Sequence, residues 1–414
     1  MKRDLIGTVS LPASKSESNR ALMIAAYGGF APEITNLSDA HDTQLLQRLL
    51  LQVQDCDNTT EMLVDCEDAG TVSRFLLTFL AGKPGVWRLT GSERMTQRPM
   101  KPLVGALRAL GADIVCEQEE GFLPMRVNGK ELKGGTVALD ASQSSQFVSS
   151  LLLAAPMWRN GLILKLLGDP CSMPYIHLTM GLMESFGAEV SMNDRVISVA
   201  PKPYVPAVFR VGGDWSSASY WYEMAALSDH CDLVLEGLRW DSLQGDSKVA
   251  DWYLAFEVHT TILEHGVRLT KDRCLLKKNT IGPTVFDFSQ TPDLFPAVFA
   301  TCVALDEYSI FRGVKNLSLK ESQRVDSMLS ELSKVYTLLY INRCDEIILK
   351  KSSLKSDKQY INKVCFNTYM DHRVVMALAP LLMIFGEVSF ETPEVVSKSY
   401  PAFWTNLKKI IKTC

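Results

Sequence analysis

The sequence predicts an α/β protein of repeated units duplicated into two similar domains, and three observations carry that reading. Helix-like runs end at a glycine and pass straight into a short alternating strand: Leu103 to Leu110 before Gly111-Ala112-Asp113-Ile114-Val115, Met180 to Phe186 before Gly187-Ala188-Glu189-Val190, and Thr260 to His265 before Gly266-Val267-Arg268-Leu269. The three glycines are 76 and 79 residues apart, far beyond a solenoid period. Glycine suits the position because it stops a helix by taking the left-handed conformation cheaply. A fourth copy, Arg324 to Val335 before Tyr336-Thr337-Leu338-Leu339-Tyr340, lacks the glycine. Finally, 414 residues exceed one ordinary core.

Along the chain, polar or charged groups gather where apolar runs begin. Ser14-Lys15-Ser16-Glu17-Ser18-Asn19-Arg20 opens the first, and Asp68-Ala69-Gly70-Thr71 precedes Val72 to Leu77. Ser142-Gln143-Ser144-Ser145-Gln146 precedes Phe147-Val148 and the run that ends at Trp158. At Val211-Gly212-Gly213-Asp214 a strand-like run meets a new helix start, Ser216-Ser217-Ala218-Ser219, which marks the domain boundary. Residues 341–365 are lysine-rich and weakly periodic and read as irregular surface hairpins. Asp371-His372-Arg373 precedes Val374 to Leu378. Singly, each start reads as an N-cap, since Ser, Thr and Asp are what a cap requires. Together with Lys and Arg they read as an anion site.

Composition narrows the class. A content of 47% hydrophobic and 22% charged residues fits a soluble globular protein. Apolar stretches such as Leu151 to Trp158 break off well before the eighteen or so residues of a membrane span. No basic leader with an apolar segment and cleavage site is read at the start, so the expected compartment is the cytosol. The ten cysteines show no Cys-x-x-Cys and no Cys/His cluster, so free thiols and no metal are expected, with Cys66 and Cys302 in the core. A formal charge of −4 argues against general nucleic-acid affinity. Local basic clusters on that acidic background point to a small anionic ligand.

Two lysine-centred segments carry the chemistry. Ser14 to Arg20 and Leu319-Lys320-Glu321-Ser322-Gln323-Arg324 each set a lysine and an arginine within about a helical turn, where charge-assisted hydrogen bonds and unpaired helix amides combine. Ser14-Lys15-Ser16 lacks the glycines of a nucleotide-phosphate loop. The second segment adds a carboxylate, Glu321, beside its cations, which suggests acid/base work on a multiply anionic substrate.

Nine segments in order identify a resemblance. Leu11 to Leu22, Ala69-Gly70-Thr71, Leu89 to Met95 with Arg98-Pro99, Ser144-Ser145-Gln146-Phe147, Gly213-Asp214 with Ser216 to Tyr220, Pro292-Asp293, Lys320-Glu321 with Arg324, Asp371-His372-Arg373 and Lys398-Ser399-Tyr400-Pro401 resemble the signatures of the 3-phosphoshikimate 1-carboxyvinyltransferase (EPSP synthase) family, over nearly the whole chain. The resemblance implies two similar domains, each of three βαβαββ units around buried helices (an inside-out α/β barrel), with an interdomain cleft. One domain would combine residues 1–13 with 214–414, and the other would span 14–213. It also implies transfer of the enolpyruvyl group of phosphoenolpyruvate to the 5-hydroxyl of shikimate 3-phosphate through a tetrahedral intermediate.

By the same resemblance Glu321 handles the methylene proton, Asp293 holds and helps deprotonate the hydroxyl, and Lys15 bridges both substrates. Gly70, Arg94, Gln146, Arg324, Arg373 and Lys398 would bind phosphoenolpyruvate. Shikimate 3-phosphate would be held by Ser16, Arg20, Ser144, Ser145, Gln146, Ser172, Tyr175, Asp293, Asn316 and Lys320. No cofactor, metal, nucleic acid or membrane is implied, only the two small-molecule substrates, and the expected state is a monomer. Asp42, in Ser38-Asp39-Ala40-His41-Asp42, reads as a helix-start residue outside the site.

The chain departs from the family pattern at several places. Asp68 and Met370 stand where the family has Asn, Phe75 where it has Pro, Ser318 where it has Arg, and Ala13 where it has Gly. Asp68 puts negative charge beside the expected phosphoenolpyruvate site, and Phe75 is expected to disturb the helix that begins at Gly70. A UDP-N-acetylglucosamine enolpyruvyl transferase is the alternative within the same fold, but it carries Lys-Asn where this chain has Lys15-Ser16. A non-catalytic ligand-binding descendant is a second alternative, and it would have lost Glu321 or Asp293; a structural or interaction protein is a third, and it would have no reason for seven cations at helix starts.

Overall fold

The structure, a computed structural model, describes residues 4–31, 33–56, 60–272, 282–355 and 363–411. The chain divides into two compact units, residues 1–14 with 212–414, and residues 15–211. The sequence reading set the exchanges at 13/14 and 213/214; the chain makes them at 14/15 and 211/212. The two crossing segments are hydrogen-bonded side by side, with Ser14 N donating to Gly212 O at 2.8 Å and Asp214 N to Pro12 O at 2.9 Å. Gly213 has no room for a side chain there, since a Cβ would lie 2.7 Å from the Gly237 carbonyl carbon.

In the unit of residues 15–211, two four-stranded sheets share one pattern. Glu61–Asp65 and Gly85–Thr90 pair in parallel across the helix Gly70–Gly82, and the hairpin Asp113–Cys116 with Met125–Gly129 completes the sheet antiparallel after the helix Lys101–Ala109. Gly135–Asp140, the helix Ser145–Ala154, Leu162–Leu167, the helix Met173–Ser185 and the hairpin Val190–Asn193 with Val196–Val199 repeat it. Each is a βαβαββ unit. A third sheet holds only Glu33–Thr35 and Val208–Arg210, in parallel. Strand Leu162–Leu167 alternates buried and exposed residues, as one-sided sheets do, whereas ten of the thirteen residues from Val72 to Ala81 are buried in succession on the helix Gly70–Gly82. A helix apolar all round belongs inside, so sheets form the outside of the unit and helices its core.

The other unit repeats the plan. Asp4–Ser10 pairs in parallel with His230–Glu236, and Gly266–Lys271 and His259–Leu263 follow antiparallel. Thr284–Asp287, Ser309–Arg312, Glu346–Leu354 and Tyr336–Arg343 make the second four-stranded sheet, and Lys363–Phe366 with Glu387–Phe390 the two-stranded one. All thirteen residues of the helix Trp215–Leu227 are buried, as are nine of the helix Phe295–Leu305. Phe286, Phe288, Phe295, Phe299 and Phe311 pack ring to ring beside them.

Three of the four predicted helix-to-strand passages form: Lys101–Ala109 into Asp113–Cys116, Met173–Ser185 into Val190–Asn193, and Arg324–Leu332 into Tyr336–Arg343. The run from Thr260 to His265 does not become a helix. It belongs to the strand His259–Leu263, where Thr260, Thr261 and Ile262 are β-branched and the hairpin partner Gly266–Lys271 follows at once. Residues 341–354 are likewise no irregular surface but part of a long regular hairpin with one bulge at Leu339/Tyr340; residues 356–362 of that segment lie outside the described residues. The eight described cysteines are free thiols, and Cys66 and Cys302 are buried. Among the described residues no helix is long and apolar enough to cross a membrane.

Candidate active site

The unit of residues 15–211 assembles one group of the expected residues at the starts of its buried helices. Lys15 opens the helix Lys15–Gly28, and its Nζ lies 2.8 Å from Asp42 Oδ2. Asp42 is buried in the first turn of the helix His41–Gln54. Asp42, read from the sequence as a helix-start residue, is thus also the lysine's counter-ion. A first-turn carboxylate looks the same in sequence whether it caps a helix or pairs with a neighbouring one, and only the packing of the two helices distinguishes the cases.

Arg20, on the same helix, is 2% exposed. Its Nε donates to Thr179 Oγ1 at 2.7 Å, Nη1 to Ser16 O at 2.9 Å, and Nη2 to Ser149 Oγ at 3.2 Å and Tyr175 O at 3.4 Å. All four acceptors are neutral oxygens. Burial pushes the guanidinium down to about 10, with Tyr175 and Glu17 pulling the other way, so it stays charged at neutral pH.

Gly70 is the first residue of its helix, and Arg74, four residues on, turns back so that Nη1 donates to Gly70 O at 2.9 Å. A Cβ at Gly70 would lie 2.5 Å from Arg98 Nη1 and 2.8 Å from Arg74 Nη1. Two buried guanidinium groups thus press on the glycine. Sequence reasoning assigned neither, although Arg98 stands in a quoted motif and Arg74 has the i+4 spacing that faces Gly70. Arg94 lies in the short helix Glu93–Thr96, capped by Ser92, whose hydroxyl also donates to Asp68. The next residue, Met95, has its sulfur 3.8 Å from Arg74 Nη1. Gln146 Nε2 donates to Thr71 Oγ1 at 3.0 Å and ties Ser144 and Ser145 to the Gly70 turn, while Ser144 caps the helix Ser145–Ala154. Ser172 starts the helix Met173–Ser185 in the left-handed region at φ 55°, a conformation that a non-glycine residue takes only when its surroundings hold it there.

The unit of residues 1–14 and 212–414 gathers the second group around Arg324, which is 1% exposed. Its Nη1 donates to Asp293 Oδ1 at 2.7 Å, Nη2 to Glu321 Oε2 at 2.7 Å and Nε to Asp371 Oδ2 at 2.9 Å. Burial alone would weaken the guanidinium, but the carboxylates of Asp371, Glu321 and Asp293 outweigh it and raise its affinity for the proton. Arg373 Nη2 donates to Asp293 Oδ2 at 2.9 Å, and Lys320 Nζ lies 3.7 Å from Asp293 Oδ1. Burial would raise the Asp293 carboxyl, yet Arg373, Lys320 and Arg324 together hold it well below the usual carboxylate range. Asp371 caps the helix His372–Leu378 through Arg373 N and also accepts from Ser322 Oγ.

A further carboxylate borders this group. Asp246 is 2% exposed and accepts from Ser216 Oγ, and burial, with Asp293 second, pushes its carboxyl up to about 7. No motif marked it. Lys398 is buried at the end of the 3-10 helix Pro393–Lys398, and Asn316 lies half-buried in Lys315–Leu319. Met370 takes φ 51° beside Asp371, the left-handed region in which Asn is common and Met rare.

Chemically, the second group sets three carboxylates, those of Asp293, Glu321 and Asp371, around one buried arginine. Asp293 is ionised and triply paired, and Glu321 pairs with an outer nitrogen of Arg324. The first group offers an ammonium, a buried guanidinium bonded only to neutral groups, and a glycine turn braced by arginines.

Comparison with known proteins identifies the family. A family model described as EPSP synthase (3-phosphoshikimate 1-carboxyvinyltransferase) matches residues 1–407. The chain is 40% identical over 403 residues to the 3-phosphoshikimate 1-carboxyvinyltransferase of Bacteroides fragilis, covering 97% of this chain and 94% of that protein. To the enzyme of the same name from Syntrophobacter fumaroxidans it is 33% identical, covering 97% and 96%. Among solved structures it is similar to EPSP synthase from Acinetobacter baumannii, with a TM-score of 0.71 at 20% identity over 98% and 96% of the two chains. It is also similar to the enolpyruvyl transferase NikO from Streptomyces tendae, with a TM-score of 0.72 at 14% identity over 98% and 95%.

Proposed function

Since the chain belongs to the EPSP synthase family, we propose a division of labour among its residues for the reaction it catalyses: transfer of the enolpyruvyl group of phosphoenolpyruvate to the 5-hydroxyl of shikimate 3-phosphate, with release of phosphate. Lys15 bridges the two substrates. Gly70, Arg94, Gln146, Arg324, Arg373 and Lys398 bind phosphoenolpyruvate, and Arg74 and Arg98 keep the Gly70 turn in shape for it. Ser16, Arg20, Ser144, Ser145, Gln146, Ser172, Tyr175, Asn316 and Lys320 bind shikimate 3-phosphate.

Glu321 gives a proton to the methylene carbon of phosphoenolpyruvate while Asp293 takes the hydroxyl proton as oxygen attacks, which yields the tetrahedral intermediate. Loss of phosphate and of a methyl proton then forms the enol ether. The observation that carries this assignment is Arg324, which holds both carboxylates at 2.7 Å. A carboxylate as strongly depressed as Asp293 is a poor base. Substrate anions that draw Arg373 and Lys320 to themselves leave it more basic, so proton removal is coupled to substrate binding. The reading needs no metal, nucleotide or second copy of the chain, and it is that of a cytosolic enzyme.

A phosphate-release assay tests it. Phosphate is expected only when phosphoenolpyruvate and shikimate 3-phosphate are both present, with chelator added. Turnover with UDP-N-acetylglucosamine and none with shikimate 3-phosphate would overturn it.

A further inference from the structure

Phe75, where the family pattern has a proline, lies five residues beyond Gly70, about 140° around the helix axis from it. The helix Gly70–Gly82 runs unbroken through it. Arg74 is the residue that turns back to Gly70. Phe75 is 1% exposed, and its ring centroid lies 5.5 Å from the Cζ of Arg20. The Tyr175 ring is 5.8 Å from the same carbon.

Arg20 is an unusual buried cation. Its hydrogen-bond partners are two hydroxyls and two carbonyls, which account for four of its five N–H groups and none of its charge. The negative faces of two aromatic rings add to the attraction of the nearby Glu17 carboxylate, which is not among the groups hydrogen-bonded to the guanidinium. A carboxylate would neutralise the guanidinium against an incoming anion, whereas a ring face does not. Hydrogen bonds fix the edges of the planar group, and both ring centroids lie within 6 Å of its central carbon.

We infer that Phe75 is a specificity-determining positioning residue, whose ring, with that of Tyr175, orients the Arg20 guanidinium toward the anionic acceptor substrate. This rests on the assignment of Arg20 to shikimate 3-phosphate. Substitution at position 75 is therefore read in the acceptor's KM and not in that of phosphoenolpyruvate, the side on which the Gly70 turn acts.

The test replaces Phe75 by 4-fluoro-, 3,5-difluoro- and 3,4,5-trifluorophenylalanine, which drain the ring face of negative potential at nearly constant shape, and measures both KM values. The acceptor KM is expected to rise stepwise with fluorine content, reaching about five- to thirtyfold in Phe75→Leu, while the phosphoenolpyruvate KM stays within about twofold and kcat is retained. Arg20→Lys, which keeps charge but loses the planar fork, is expected to raise the acceptor KM at least as much. A flat fluorine series with a raised acceptor KM in Arg20→Lys overturns the role of Phe75 alone. An unchanged acceptor KM in Arg20→Lys, in a parent that turns over shikimate 3-phosphate, overturns the assignment of Arg20 and this inference with it. A series that moves the phosphoenolpyruvate KM instead places Phe75 on the wrong substrate.

Discussion

Asp293 and Asp246 lie on opposite sides of the ordinary carboxylate range for reasons that can be separated by measurement. Asp293 faces three cations and stays ionised, so its contribution to stability is present at neutral pH and is lost only as pH falls through its depressed value. Asp246 has its carboxyl pushed from 3.8 to about 7 by burial and by Asp293. For a raised acid the sign reverses: its contribution is full below about pH 4 and is lost as pH rises through about 7. Asp246→Asn cannot ionise but can still accept from Ser216, so its melting temperature relative to the parent is expected to climb by a few degrees between pH 5 and pH 8, within a bound of about 3 kcal/mol. Parallel melting curves at the two pH values would show that Asp246 does not hold its proton. Glu321 belongs to the chemical step, so Glu321→Gln is expected to lower kcat by about a hundred- to ten-thousandfold, with both KM values changed little. A kcat within a few-fold of the parent would remove it from proton transfer.

At the scale of elements, the start of the helix Gly70–Gly82 works through two arginine side chains. Gly70→Ala would bring a methyl group to about van der Waals overlap with Arg98 and Arg74, and flexible guanidinium ends would yield before the helix does. The variant is expected to keep its melting temperature within a degree or two and to raise the phosphoenolpyruvate KM about tenfold, the worth of one weakened charge-assisted hydrogen bond. An unchanged KM would mean that the arginines relax without loss of the substrate. This device was half legible in the sequence. The Ala69-Gly70-Thr71 motif pointed to the turn, but Arg98 reaches it across a strand and a short helix, a distance that no local pattern encodes. The same limit hid the pairing of Asp42 with Lys15 and the neutral oxygens of Ser149 and Thr179 around Arg20. Helix-to-strand passages were readable where a long apolar face repeats at helical spacing, as in Leu103 to Leu110. At Thr260 to His265 a six-residue window is too short to separate the two periods, and β-branched residues with a hairpin partner decided for strand.

For the whole molecule, the decisive fact is that one unit is inserted into the other. Residues 15–211 have their own core, their own three sheets and both ends of the segment at one place, where Ser14 and Gly212 are hydrogen-bonded. A fragment of residues 15–211 is therefore expected to unfold cooperatively, with a sigmoidal urea transition and dispersed amide resonances. A broad, non-cooperative transition would show that its core depends on the remainder of the chain. The host unit pays for the arrangement in time. Its first strand, Asp4–Ser10, forms a sheet edge whose one neighbour is His230–Glu236, more than two hundred residues later. At the usual pace of translation, about 5–20 residues per second, the strand leaves the ribosome on the order of 10–45 s before its partner exists. Throughout that interval Leu5 and Val9, which end fully buried, face water on an unpaired strand, while the inserted unit completes its fold. Synthesis thus lets the inserted unit fold before the host unit can close this sheet, and the strand Asp4–Ser10 is a stretch that a chaperone's cover would protect.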